Sequence, residues 1–290
     1  MLHTLKFIIS HPLNANHKVS SLRKFVQWQI KSRLFKGPFV HTFTENSHLF
    51  VSRGETGATG NIYGGLHEFY DMAFLLHLLR CGDLFVDIGA NIGSYTVLSS
   101  AEIGANNIAI EPVPMTFERL IANLDLNKIN HNVQALNIAL GKEKGMIRFT
   151  QSYDTINHVA TEQEINTIDV PVDTLDNILQ NKNPILLKVD VEGFETEVLH
   201  GAHHSLQNES LKAIIIELNG SGRRYGYDDQ HIHIKLIDHG FKPFDYDPFN
   251  RQLTEKTSFG HANTLYLRDL ANVASRVKSA RKIKVANQLF

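Results

Sequence analysis

The sequence predicts an α/β fold, an open and mostly parallel sheet doubly wound with helices. Three observations predict it. Short apolar runs alternate with segments of helical period between residues 68 and 246, the pattern of strands joined by crossover helices. The runs Ile185-Leu-Leu187 and Ala213-Ile-Ile-Ile216 are near-continuously apolar, as strands covered on both faces are. A glycine-rich turn, Gly89 to Gly93, joins the apolar run 84–88 to the helical pattern that follows it.

The elements follow in order. Residues 21–36 read as a helix, with Leu22, Phe25, Val26, Ile30 and Leu34 on helical spacing and Gly37-Pro38 as its stop. Residues 39–43 and 48–52 bracket Thr44-Glu-Asn-Ser47 as a hairpin. The Gly- and Thr-rich stretch 53–65 reads as a loop. Residues 68–80 form a helix with Phe69, Met72, Ala73, Leu76 and Leu79 inward and Gly82 past its end. Strands at 84–88, 107–111 and 133–139 alternate with helices at 92–104 and 114–127. The polar stretch 145–172 has strand character at 146–150 and 168–172. A short helix from Thr174 precedes strand 185–190, helix 194–200, strand 212–218, helix 228–239 and strands 241–246 and 263–268. The last twenty residues read as a basic helix or frayed tail. This divides the chain into an N-terminal basic helix and hairpin cap (1–60), a main domain (61–268) and a basic tail (269–290).

Composition sets the class. With 290 residues, 42% hydrophobic and 20% charged, the chain can bury a core without disulfide or metal staples. The single cysteine, Cys81, excludes an internal disulfide framework and fits a reducing compartment. No apolar stretch approaches the ~20 residues of a membrane span, and the short run at residues 5–9 makes a poor signal peptide. A cytoplasmic protein is expected. The net charge of −1 hides a pattern: residues 1–44 carry seven Lys or Arg and no acid, and residues 271–290 carry five and none. The basic ends either fold back on an acidic body or make peripheral contact with an anionic surface such as lipid headgroups. Nothing points to nucleic acid, and the oligomeric state is open.

In an open parallel sheet, ligands bind at the carboxyl ends of the strands. The first strand ends in Asp87-x-Gly89-x-x-x-Gly93. Gly89 permits a turn that a Cβ would obstruct, and free N–H groups at the following helix attract an anion such as a carboxylate. Asp87 supplies an acceptor for an ammonium or an ordered water. Glu111-Pro112 ends the second strand, one βαβ unit later, where an acid typically takes ribose hydroxyls. S-adenosylmethionine (SAM), with its ammonium, carboxylate and ribose hydroxyls, is such a ligand. Lys188-Val-Asp190-Val-Glu192-Gly193 places three charges on an otherwise apolar strand end, and Glu217 ends the next strand. Unpartnered charge is expensive to bury, so these residues form a site or a closing ion pair.

Together, Phe85-Val-Asp-Ile-Gly-Ala-Asn-Ile-Gly-Ser-Tyr95, Ile110-Glu-Pro112, Val172-Asp-Thr-Leu175, Leu187-Lys-Val-Asp-Val-Glu-Gly-Phe-Glu195, Val198-Leu-His-Gly201 and Asn263-Thr-Leu-Tyr-Leu267 resemble the FkbM family of SAM-dependent methyltransferases. The likeness runs over about residues 60–268 and includes Thr59-Gly-Asn-Ile-Tyr63 and His67-Glu68. It implies a class I methyltransferase, Rossmann-like fold with a seven-stranded sheet whose last strand is antiparallel. It also implies O-methylation of sugars, glycolipids or secondary metabolites, with S-adenosyl-L-homocysteine (SAH) as the spent cofactor. On the resemblance, Gly89, Ala90, Asn91 and Gly93 hold the methionine part of SAM above Asp87. Glu111 and Pro112 stand at the ribose, and Asn137 and Ala139 near the adenine. Tyr63 and Glu68 close the pocket. Nothing carries over to the N-terminal forty residues.

A hydroxyl nucleophile calls for a general base. Asp190 is the first candidate, with Glu192, Glu217, His67 and His158 behind it. Asp190 and Glu192 would also suit Mg²⁺, and no metal is assigned. His203-His204 and His231-x-His233 read as surface histidines, since such neighbours on a helix do not share a face. Two other classes fit parts of the chain. A nicotinamide-dependent oxidoreductase is disfavoured because the loop is Gly-x-x-x-Gly and not Gly-x-Gly-x-x-Gly. A non-catalytic nucleotide-binding scaffold recruited to membranes by the basic ends is the other.

Overall fold

The computed structural model describes residues 2–151, 157–286 and 288–290. The chain enters through helices α1 (Leu2–Ser10) and α2 (Lys18–Leu34), the hairpin β1 (Phe39–Thr42) and β2 (His48–Val51), and helices α3 (Thr56–Gly64) and α4 (Phe69–Leu78). The wound part begins with β3 (Leu84–Ile88) and α5 (Ser94–Val97), which runs into a π-helical turn at Leu98–Glu102. There follow β4 (Asn106–Ile110), α6 (Pro114–Asn127), β5 (Val133–Leu136), β6 (Ala139–Leu140), β7 (Gly145–Thr150), β8 (Thr167–Asp173) and α7 (Leu175–Leu179). Next come β9 (Pro184–Val189), α8 (Glu195–His200), α9 (His203–Gln207), β10 (Ala213–Glu217), α10 (Asp229–Asp238), β11 (Lys242–Asp247), β12 (Gln252–Glu255) and β13 (Asn263–Leu267). Helix α11 (Leu270–Ser279) and the hairpin β14 (Lys284–Val285) and β15 (Gln288–Leu289) close the chain.

The central sheet has the order β12-β11-β13-β10-β9-β3-β4-β5. Strands β5, β4, β3, β9 and β10 are mutually parallel, and β13 inserts antiparallel between β10 and β11. These are the expected seven strands. The eighth, β12, is a polar edge strand added by a hairpin to β11, with no apolar run to announce it.

Side chains alternate between the two faces of the sheet. Val86, Ile88, Ile108, Ile110, Leu187, Val189, Ile214 and Ile216 enter one core. Phe85, Ala109, Leu186 and Ile215 enter the other, which is shared with α4, the π-helical turn and the N-terminal elements. That parity fixes the site: two residues beyond each of Phe85, Ala109, Leu186 and Ile215 stand Asp87, Glu111, Lys188 and Glu217. The polar residues therefore occupy the carboxyl end of a single sheet face.

Three stretches differ from the sequence reading. Residues 56–64 form α3 and not a loop. Two of its three glycines allow close approach: a Cβ on Gly60 would lie 2.0 Å from the His67 ring and one on Gly64 2.8 Å from the His11 ring, so tertiary packing overrides poor helix propensity. The expected strand 133–139 divides at Asn137, and β6 leaves for a small sheet of order β6-β8-β7. Residues 152–156 of the polar stretch lie outside the described residues. On α2, Ser21, Trp28 and Ser32 are buried, whereas Val26, Ile30 and Leu34 of the expected apolar stripe face outward. The basic tail folds back on the body, where Val273, Val277, Ile283, Val285 and Phe290 are buried and Arg276 lies 2.6 Å from Asp83.

The first sixty residues share the core of the main domain: Ile8, Leu13, Trp28, Phe43 and Leu49 join the cluster that holds Phe74 and Leu98. Backbone donors of β2 also reach the body, His48 to Asn127 Oδ1 at 2.8 Å and Phe50 to Asn123 Oδ1 at 2.7 Å.

Candidate active site

The turn after β3 is tied to β4, since the Gly89 and Ala90 N–H groups both donate to the Ile110 carbonyl. Gly89 has φ +81°, and a Cβ there would stand 1.8 Å from the Asp190 carbonyl oxygen. The residue therefore has to be glycine on two counts, left-handed backbone and contact with the β9 loop. Asn91 is also left-handed, at φ 51°, and its own side chain accepts from Ile92 N–H. Glu111 closes the turn from below. One carboxylate oxygen accepts from Asn91 N–H at 3.0 Å and the other from Val113 N–H at 2.9 Å.

The acids crowd together. Burial pushes Glu111 up to about 7, against the pull of those two amides. Burial also lifts Asp87 to about 6, although Lys188 and the Thr96 hydroxyl, 2.7 Å away, draw it down. The Lys188 ammonium lies 2.6 Å from Asp190 and 4.8 Å from the centre of the Tyr95 ring. Burial alone would discharge it, but Asp190, Glu68 and Asp87 outweigh that and hold it above the ordinary lysine range. Tyr95 donates to Glu68 at 2.7 Å, and Asn263 donates to both Glu68 and Asp71. Burial and the negative charge of Glu68 raise Asp71 to about 7.

Asp190, Glu192 and Glu217 bring carboxylate oxygens within 4.8 Å of one another. Burial and repulsion from Asp190 raise Glu192 to about 7, and burial with Asp190, Glu192 and Glu195 raises Glu217 to about 8. Among the described residues the buried Oε2 of Glu217 has no hydrogen-bond partner. Glu192 sits at φ 55°, in a loop held by Glu195, which accepts from Val191 and Gly193 N–H. The three oxygen ligands are of a kind that could hold a hard divalent cation, with the Lys188 ammonium competing for Asp190.

A cavity of about 250 Å³ collects most of the expected residues: Asp87, Gly89, Ala90, Asn91, Glu111, Pro112, Glu68, Asp190, Glu192 and Glu217 all line it. Ala139 lines a narrow apolar cleft beside it, together with Gly89, Pro112, Phe149 and Phe194. Gly93 lies behind the turn, its Cα side against Leu120. Asn137 supports the turn instead of facing the cavity, donating to the Glu111 and Pro112 carbonyls. Tyr63 points toward α2, where its hydroxyl accepts from Gln29 at 3.0 Å and its ring meets Phe25. His67 lines the cavity, whereas His158 bonds Glu164 at 3.0 Å.

Sequence reasoning missed Tyr95 and Asp71, neither of which stands at a strand end, Phe149, near the end of β7, and Asn61, a buried link that accepts from His67 N–H and donates to Ser94. The helical run 68–80 hid Asp71, because an acid in a first helical turn reads as dipole compensation. A second cavity of about 520 Å³ adjoins the first, sharing His67 and Glu68. It has an aromatic and aliphatic lining from Phe7, Phe69, Phe244, Tyr246 and Leu265.

The family model of the methyltransferase FkbM domain matches residues 87–243. The chain is 35% identical over 140 residues to the hexuronic acid methyltransferase AglP of Haloferax volcanii, covering 47% of this chain and 56% of the relative. It is 32% identical over 142 residues to Methyltransferase 1 of Beauveria bassiana, covering 40% of this chain and 57% of the relative. The chain thus spans little more than half the length of these two relatives. Among solved structures, the precorrin-6y C5,15-methyltransferase of Geobacter metallireducens superposes with a TM-score of 0.39 at 13% identity, covering 69% of this chain and 87% of that one.

Proposed function

Since the chain belongs to the FkbM methyltransferase family, we propose that it transfers the methyl group of SAM to a hydroxyl of a sugar, glycolipid or secondary-metabolite acceptor. The observation that carries this reading is the meeting of the Gly89 turn, Asp87 and Glu111 with the Lys188–Asp190–Glu192–Glu217 cluster in one cavity. In the proposal the Gly89 turn would hold the methionine end of SAM, Glu111 its ribose hydroxyls, and the apolar cleft at Ala139 and Phe149 its adenine. The carboxylates of the cluster would supply the counter-charge that a buried sulfonium needs.

The reaction is an in-line displacement. The acceptor oxygen bonds to the methyl carbon as the carbon–sulfur bond breaks, the bonding pair leaves on sulfur, and the hydroxyl proton passes to a base. Alignment of the three atoms supplies much of the acceleration. Asp190 is held by Lys188 at 2.6 Å, an arrangement suited to fixing charge and position. Glu217 has a free oxygen and a carboxyl raised to about 8, near the working pH where a general base is most effective. The geometry thus favours Glu217 over Asp190 as the base.

AglP is named for a hexuronic acid, and that likeness supports a sugar acceptor. The second cavity refines it. Its aromatic lining suits the C–H face of a ring, but its charged rim carries Glu68, Asp71 and Asp245, and its Lys256 is already 2.9 Å from Asp245. A neutral hydroxylated ring fits this lining better than one bearing a carboxylate. Calorimetry with SAH tests the cofactor pocket. Asp87→Ala and Glu111→Ala should each weaken binding about tenfold or more, the loss of one charge-assisted hydrogen bond. Unchanged affinity in both, or stabilisation by NAD and none by SAH, would overturn the assignment.

A further inference from the structure

Helix α2 is apolar on two opposite sides. One side carries Ser21, Trp28 and Ser32, all buried, and half-buried Leu22 and Phe25 against the body. The other carries Val19, Val26, Ile30 and Leu34, exposed at 84%, 52%, 54% and 70%. At about 100° per residue, these four fall within roughly 80° around the axis, with Arg23 inside that arc and Arg33 about 20° beyond its edge. Phe35 and Val40 extend the apolar surface beyond the helix end. Eight of the seventeen exposed large hydrophobic residues of the described chain lie within residues 2–40, so the exposure is concentrated there and is not the scatter an ordinary surface shows.

The charge of the same segment says what covers it. Residues 1–44 hold Lys6, Lys18, Arg23, Lys24, Lys31, Arg33 and Lys36 and no acid. Among the described residues none of the seven is in an ion pair, whereas the basic residues of the tail, Arg276, Arg281 and Lys284, pair with Asp83, Glu102 and Glu45. A protein partner matching this face would need an acidic rim around an apolar groove. An anionic bilayer offers both at every point, with phosphates above acyl chains. Arginines beside an apolar stripe suit that boundary, because their stems lie along hydrocarbon while their heads stay with phosphate.

We propose that α2 is a peripheral membrane anchor, lying in the plane of an anionic lipid surface with Val19, Val26, Ile30 and Leu34 turned into the acyl boundary. The neighbouring α1 supplies Phe7 and Ser10, and the turn after it His11, to the second cavity. The anchored layer is therefore also a wall of the proposed acceptor cavity, which would bring a lipid-borne acceptor to it. The anchor itself stands on the exposed stripe and on cations that make no ion pair among the described residues, and holds whichever molecule is methylated.

Flotation of the full chain with phosphatidylcholine vesicles, with and without about one third phosphatidylglycerol, tests this. Binding is expected to the anionic vesicles alone and to fall at high salt. Arg23→Gln with Arg33→Gln should weaken it about 25-fold, at roughly fivefold per cation. Val26→Gln with Ile30→Gln should weaken it at least tenfold, with unchanged circular dichroism, since both positions are exposed. A chain that stays soluble beside anionic vesicles at low salt overturns the proposal, as does binding indifferent to both pairs. A concentration-dependent dimer in light scattering that Val26→Gln with Ile30→Gln abolishes assigns the stripe to a second copy and overturns it too.

Discussion

Glu217→Gln should stabilise the ligand-free protein at alkaline pH and leave it unchanged in acid. In the fold, burial and the neighbouring carboxylates hold Glu217 at about 8, against an ordinary value of 4.5. The unfolded chain therefore gives up this proton first. Between those two values the folded state binds more protons than the unfolded one, so stability falls as pH rises. At 1.36 kcal/mol per unit, the interval sets a ceiling of about 5 kcal/mol. Solvent reaches one side of this half-buried carboxylate and screens it, and a realistic gain for the glutamine at pH 9 is about 2 kcal/mol. In a chain of this size that is about 4 °C in Tm. Glutamine keeps the shape and removes only the ionisable oxygen, so the comparison isolates charge. Scanning calorimetry of both proteins without cofactor, at pH 5 and pH 9, reads the effect. A rise of similar size at both pH values would mean a packing effect, and a fall at pH 9 would mean that the ionised carboxylate has a stabilising partner. Either result refutes the electrostatic account. The same substitution should lower kcat by ~10²-fold or more while leaving SAH affinity within a few-fold, if Glu217 is the base.

Three more outcomes follow from the same geometry. Gly89→Ala should cost more than about 3 kcal/mol in urea unfolding, since it combines a left-handed backbone with a 1.8 Å approach to the Asp190 carbonyl; a loss under 1 kcal/mol would show that the turn yields easily. Lys188→Met should destabilise by about 3–5 kcal/mol, because it leaves Asp87, Glu68 and Asp190 without the cation that all three face; partial rescue at pH 5 separates lost charge from lost packing. Ionisation of Glu192 and Glu217 at about 7 and 8 should favour SAM over SAH, because only SAM bears the sulfonium charge. The ratio of the two Kd values should grow about tenfold from pH 6 to pH 9, and a pH-independent ratio would remove these acids from the sulfonium's surroundings.

The parts legible in the sequence are those where one residue type answers to one local constraint. Gly89 and Glu111 are of this kind: a left-handed turn against another strand admits glycine, and an acid one βαβ unit on receives the amides or hydroxyls presented there. The parity of the sheet also made Asp87, Lys188 and Glu217 readable, since each interrupts a hydrophobic run two residues after a core position. Illegible were the contributions made through space between distant segments. Tyr95, Glu68, Asn263 and Asp71 form one hydrogen-bonded chain from three parts of the sequence, and no spacing along the sequence encodes it. Helix α3 was hidden because Gly60 and Gly64, read as loop formers, admit the rings of His67 and His11.

The stripe on α2 shows the limit most clearly. Periodicity places Leu22, Phe25, Val26, Ile30 and Leu34 on one helix, and a pattern of apolar residues says only that they will be covered. Burial then divides them, with Leu22 and Phe25 against the body and Val26, Ile30 and Leu34 outward. What separates a core helix from an anchor is therefore the second apolar side, together with cations that the fold leaves unpaired. Both become visible only when the opposite face of the helix is seen to be already occupied.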